Sequence, residues 1–115
     1  MDMTEQSMKQ YERIRKGYPR LFSDAQKITK LIIKAAKEDM EPSETAKYLK
    51  TLKKIESRKK GYTPVPELVI NIFIDAKLTN DEERNRAKQY YMNVVKAEHE
   101  EEMLKEYISY LIRKI

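Results

Sequence analysis

The 115-residue sequence has no cysteine, no tryptophan, two glycines and one histidine. Without thiols there can be no disulfide, zinc finger, iron–sulfur ligation or thiol nucleophile. Two isolated glycines cannot build a phosphate-cradling loop, and four prolines beside them are too few for a turn-rich sandwich or a flexible linker. Any Ser–His–Asp arrangement would have to use His99. A ferritin-like metal site needs Glu-x-x-His on two helices, and the residue three before His99 is Lys96. The run Glu98-His99-Glu100-Glu101-Glu102 therefore reads as a solvated acidic face, although magnesium held by Glu98 and Glu102 with a nucleotide phosphate stays open. No apolar run approaches the roughly 18 residues of a membrane span, and the start Met1-Asp2-Met3 lacks the positive region of a signal peptide. These absences leave a small cytoplasmic, all-α domain without catalytic residues of its own, expected to work by binding.

What is present is helical periodicity. Residues 4 to 16 carry Met8, Tyr11 and Ile14 on one side, and Gly17-Tyr18-Pro19 is expected to end that helix, with Gly17 just past it and Pro19 blocking continuation. A second helix, capped by Ser23 or Asp24, runs to about Met40 on Ile28, Leu31, Ile32 and Ala35. Ser43 is the expected N-cap of a third, which reaches about Lys60 with Ala46, Leu49, Leu52 and Ile55 inward. After the irregular stretch from Gly61 to Pro66, the apolar run Leu68 to Ile74 predicts a short buried helix. Its β-branched residues also suit a strand, but such a strand would have no partner, and Pro66 fits a first helical turn. Asn80 with Glu83 forms a capping box that opens the last segment. There Tyr90, Val94, Ala97, Leu104, Ile108, Leu111 and Ile115 share one stripe interrupted by Glu101. A helix of that length is far above the mean of about 11–12 residues, so a break is expected near 98–102. The sum is a bundle of five to six helices forming one domain, 1–115.

Charge is distributed unevenly. Residues 9–60 hold 16 Lys and Arg against 7 Asp and Glu, whereas residues 61–115 hold 8 against 10. Lys47, Lys50, Lys54 and Arg58 are spaced 3, 4 and 4 and would share one helical face. Like charges at this spacing repel, and phosphates would relieve that repulsion and release counterions on binding. A lysine face that merely keeps a helix hydrated is the alternative. Eight tyrosines against two phenylalanines offer flat rings for base stacking. Tyr18 and Tyr62 each follow a basic helix end and a glycine, in Arg15-Lys16-Gly17-Tyr18-Pro19 and Lys59-Lys60-Gly61-Tyr62-Thr63-Pro64, while Tyr90 and Tyr91 follow Arg84, Arg86 and Lys88. A tyrosine just beyond such a glycine can equally fold back on its own helix, and of two adjacent tyrosines at least one should enter the core. Arginines present a planar fork suited to base edges, which adds Arg13, Arg15, Arg84 and Arg86. The candidate nucleic-acid-binding set is therefore Arg13, Arg15, Lys16, Tyr18, Lys47, Lys50, Lys54, Arg58, Lys60, Tyr62, Arg84, Arg86, Tyr90 and Tyr91.

With its basic helix face, paired Gly-Tyr turns and size, the chain resembles the helix-bundle domain that follows the prim–pol domain of archaeal plasmid replication primases. The resemblance implies a domain excised from a larger replication protein, to which the abrupt end at Ile115 would correspond. It implies an accessory role in starting primer synthesis: binding single-stranded template DNA, with ATP or another nucleoside triphosphate beside it, the catalytic carboxylates lying elsewhere. On this reading the domain is a monomer and prefers DNA to RNA. Two alternatives remain. One is a protein-assembly module pairing through Tyr107, Ile108, Leu111 and Ile115, and the other is a small helical subunit of an RNA-guided complex.

Overall fold

A computed structural model describes residues 3–114, with side chains from Glu5 onward; Ile115 and the acidic start at Asp2 lie outside the described residues. It holds five helices and, among those residues, no strand: α1 (Met3–Gly17), α2 (Pro19–Lys37), α3 (Pro42–Glu56), α4 (Glu67–Lys77) and α5 (Asp81–Lys114). Helix α2 touches all four others. Helix α1 lies against α2 and α4, and α3 lies against α2 and α5.

The core is built where the apolar stripes converge. Phe73, Ile32, Leu49, Ile70, Ile74 and Val94 are almost wholly buried, and each contributes about 1.5–3 kcal/mol through removal from water. Tyr11, Phe22 and Phe73 form a ring cluster between α1, α2 and α4, with centroids 4.8 to 5.5 Å apart. The apolar run beginning at Leu68 is a helix, as predicted, because its buried positions Ile70, Phe73 and Ile74 follow helical spacing while Leu68 faces outward.

Several boundaries differ from the sequence reading. Helix α2 begins at Pro19, not at Ser23 or Asp24, because proline at the first helical position lacks an N–H that would go unpaired there. Gly17 is the last residue of α1 and does not adopt a positive φ; Gly61 is the glycine that does. Likewise Pro42 opens α3 after Glu41, which leaves Ser43 inside the first turn, and α3 stops at Glu56. Pro66 precedes α4 and Glu67 begins it. Asn80 caps α5 as predicted, its Oδ1 accepting the Glu83 N–H at 3.1 Å.

Two inward assignments also change. Ile55 is exposed, since the buried face of α3 runs Ala46, Leu49 and then Glu56. Met8 is exposed too, its place on the inner face of α1 taken by Ser7.

The expected break at 98–102 is absent: α5 is one helix of 34 residues. No glycine or proline interrupts it, Glu, Lys, Met and Leu all favour helix, and Lys105 reaches back one turn to Glu101 at 3.6 Å. Its first half supplies the packed positions; from Glu102 to Lys114 every side chain is exposed. The projecting half stretches the molecule to 56 Å and its radius of gyration to 16.1 Å, against about 13 Å for a compact domain of 100 residues.

Candidate nucleic-acid interface

The two Gly-Tyr turns, 44 positions apart in sequence, meet at one end of the bundle. The first is the hinge between α1 and α2, where the Tyr18 N–H closes α1 on the Ile14 carbonyl at 2.8 Å and the Tyr18 carbonyl accepts the Phe22 N–H at 2.9 Å. The second follows α3, where Gly61 turns the chain at φ +82°. Arg20, at the second position of α2, donates from Nη1 to the Lys60 carbonyl at 2.5 Å. Asp24, one turn on, accepts the Thr63 N–H at 3.4 Å. These bonds tie the start of α2 to the loop after α3.

A shallow recess of about 180 Å³ lies between them, lined by Arg20, Lys27, Lys59, Lys60 and Tyr62 together with Asp24 and Glu56. Glu56 is buried and accepts from Lys59 Nζ at 3.0 Å and from Lys27 Nζ at 3.4 Å. The hydrogen bond from Lys59, aided by Lys27, holds its carboxyl below the usual range against the opposing effect of burial. Four cations against two carboxylates leave the recess net positive. Burial, with the charges of Asp24 and Glu56, raises the Tyr62 phenol above its ordinary value, so the ring stays neutral at physiological pH.

Along α3, Lys47 and Lys54 are exposed and Lys50 is half-buried. Arg58 lies beyond the end of the helix, so the four-residue face predicted from spacing is three lysines on α3 plus an arginine in the following turn. Among the described residues, Lys47, Lys50, Lys54, Arg58 and Lys60 make no salt bridge. At the other turn, Arg13, Lys16 and Tyr18 are exposed.

Other candidates are already engaged. Arg15 grips Glu12 with its nearest contact at 2.6 Å, and the pairing lowers the glutamate and raises the guanidinium. Arg86 pairs with Asp39 at 2.7 Å. Arg84 is mostly buried and donates to the Leu78 and Thr79 carbonyls at 2.6 and 2.8 Å while pairing with Asp81, so its fork closes the α4–α5 junction and does not face a base edge. Tyr91 is a core residue at 5% exposure, and burial pushes its phenol far up. Half-buried Tyr90 donates to the Met40 carbonyl at 2.9 Å and shares a 2.6 Å hydrogen bond with Thr45. Burial withdraws the Tyr91 ring from stacking, and the Tyr90 hydroxyl ties α5 to Met40 and to α3. Sequence reasoning missed Arg20 and Lys27, whose signal was only a basic residue after Tyr18-Pro19 and another about two turns further along the same helix.

A second cleft of about 470 Å³ opens between α1 and α4, lined by Gln6, Gln10, Asn71 and a buried polar set. In that set Asp75 accepts from Ser7 Oγ at 2.9 Å and pairs with Lys88 Nζ at 2.5 Å. Among the described residues, no three histidines or carboxylates gather as a metal site and no helix is long and apolar enough to cross a membrane. No family model, curated protein or solved structure matches the chain.

Proposed function

We propose that this domain binds single-stranded nucleic acid at the end of the bundle where the two Gly-Tyr turns meet. The observation that carries the reading is the Arg20–Lys60 clasp, which brings the Tyr18 and Tyr62 turns together beside a cationic recess continuous in sequence with the lysines of α3. Phosphates would sit on Lys54, Arg58, Lys60 and the recess cations, and bases would stack on Tyr18 or on the exposed part of Tyr62. Arg13 and Lys16 would extend the track along α1. The resemblance to the helix-bundle domain of archaeal primases supports DNA as the strand and a nucleoside triphosphate as a companion ligand. The recess is smaller than the roughly 300 Å³ of an ordinary small-molecule site, and so suits a phosphate group better than an entire nucleotide. Magnesium would then arrive with the nucleotide.

The test is fluorescence anisotropy with a mixed-sequence single-stranded oligonucleotide across a salt series. With about five phosphates contacted, log K should fall against log salt with a slope near −3.5. Lys54→Glu together with Lys60→Glu should weaken binding while leaving thermal unfolding unchanged, and Tyr62→Ala should lower affinity more than stability. A slope near zero, or charge-reversed protein binding as tightly as the parent, would overturn the reading. Repeating the titration with ATP present measures whether nucleotide and strand bind cooperatively.

A further inference from the structure

The projecting half of α5 is too apolar and too short to be at ease in water. An isolated helix below about 12–15 residues is marginal, yet this one carries Met103, Leu104, Tyr107, Ile108, Tyr110, Leu111 and Ile112 at 43–67% exposure. Leu104, Ile108 and Leu111 continue the 3-and-4 spacing of Ala97 and Glu101, a seam with coiled-coil periodicity. Tyr107 and Ile112 flank that seam on its two sides.

We infer that this segment pairs with the same segment of a second copy of the chain, the two helices running antiparallel about a two-fold axis near residue 106. Charge selects both the occupant and the direction. The acidic residues Glu98, Glu100, Glu101 and Glu102 stand about 20 Å along the helix from Arg113 and Lys114. Antiparallel apposition brings Glu100 of each copy to the edge of the seam that holds Lys114 of the other and opposes the two helix dipoles. The surface is thus complementary to itself, as a two-fold interface requires. A parallel pair would instead bring Glu101 against its own copy within the seam and align the two helix dipoles. In the antiparallel register Ile108 meets Leu104 of the second copy, while Glu101 meets Leu111 at the rim and Glu100 lies on the edge that carries the second copy's Lys114.

Covering the seam and its flanks over about 25 Å of helix removes on the order of 500 Å² per copy from water, so the total of about 1,000 Å² is just at the threshold of a specific interface. The dimer is therefore a weak one, formed at micromolar rather than nanomolar concentration. It would place two cationic ends on one particle, though it depends in no way on what those ends bind.

Sedimentation equilibrium of the full chain, without nucleic acid, tests the inference. The apparent mass should rise from 13.8 kDa towards twice that value with increasing concentration. Ile108→Glu with Leu111→Glu should shift the midpoint by at least about tenfold. Neither side chain belongs to the bundle core, so near-ultraviolet circular dichroism of the variant should match the parent. Direction is read by disulfide trapping in this cysteine-free chain. Glu100→Cys mixed with Lys114→Cys should cross-link to each other, and neither should cross-link efficiently alone. A mass of 13.8 kDa at every concentration up to the millimolar range would overturn the pairing and leave the face to a different partner. Efficient self-cross-linking of each variant alone would overturn the antiparallel arrangement.

Discussion

The Arg20 guanidinium occupies the space that a side chain on Gly61 would need: a Cβ at Gly61 would lie 1.3 Å from Arg20 Nη1. The same nitrogen donates to the carbonyl of Lys60. A single contact therefore joins the start of α2, the loop after α3 and the one left-handed glycine, and the two similar Gly-Tyr motifs take different conformations. Gly61 must be glycine both for φ and for room. Gly17 has an ordinary helical backbone, and a Cβ there would have nothing within 4 Å.

Alanine at these two positions should consequently have opposite effects. Gly61→Ala is expected to lose about 1–2 kcal/mol from the left-handed backbone, with a further loss as Arg20 is displaced from the Lys60 carbonyl. Gly17→Ala is expected to gain about 0.5–1 kcal/mol, since helical glycine loses more freedom on folding than alanine. Urea denaturation of the two variants beside the parent measures both. Equal effects of the same sign would contradict the structure.

Glu56 makes the recess sensitive to acid. Its carboxyl is held below the usual range by Lys59 and then by Lys27, so the folded chain binds a proton there less readily than the unfolded chain. The stabilisation is complete above the ordinary glutamate value of about 4.3 and disappears as pH falls through the lower folded value. Glu56→Gln should therefore reduce stability at pH 7 and flatten the decline towards pH 3. Unfolding curves at a series of pH values for the parent and the variant would check this, a parallel decline in both proteins counting against it.

Most of the helical plan is legible in the sequence because periodicity and proline are local signals. The buried run at Ile70, Phe73 and Ile74, and the Asn80 cap, follow from neighbours within a few residues. Partners distant in sequence are not legible. Nothing near Tyr90 announces that Met40 and Thr45, 50 and 45 positions away, will take its hydroxyl. In sequence Glu56 is a lone acid in a basic run, whereas folding makes it the hub of two lysines from different elements. Length misleads at α5, where the improbability of a 34-residue helix weighs against an unbroken series of good helix formers. At the interface, the likeness of the two Gly-Tyr turns is visible, but their meeting depends on Arg20, which no spacing rule connects to Lys60.

Asp75 holds the α1–α4 cleft together. It is 8% exposed, accepts from Ser7 and faces Lys88, so removing its carboxylate leaves a half-buried ammonium and a buried hydroxyl without an acceptor. Asp75→Ala should cost about 2–3 kcal/mol, at the lower end for a broken buried pair because Lys88 can recover some water. Asp75→Asn, which keeps an acceptor for Ser7, should cost less. Equilibrium unfolding of both variants gives the order directly. Double substitution with Lys88→Met should recover part of the loss, because no unpaired charge is then left behind.

Thr29 presents the reverse situation. It is wholly buried on the inner face of α2, and its Oγ1 has no hydrogen-bond partner among the described residues. A buried hydroxyl without a partner carries its desolvation cost with nothing to offset it, and valine has nearly the same shape without that oxygen. The lower helix propensity that threonine and valine share is unchanged by the exchange, so the polar atom alone decides the outcome. Thr29→Val should therefore stabilise the domain by about 1 kcal/mol, raising the unfolding midpoint by about 3–6 °C for a chain of this length. Thr29→Ser should move in the other direction, because it keeps the unpaired hydroxyl and removes the methyl group that packs against the core. Thermal melts of the three proteins in one buffer give the comparison, and a valine variant no more stable than the parent would mean that the hydroxyl finds a partner in solution.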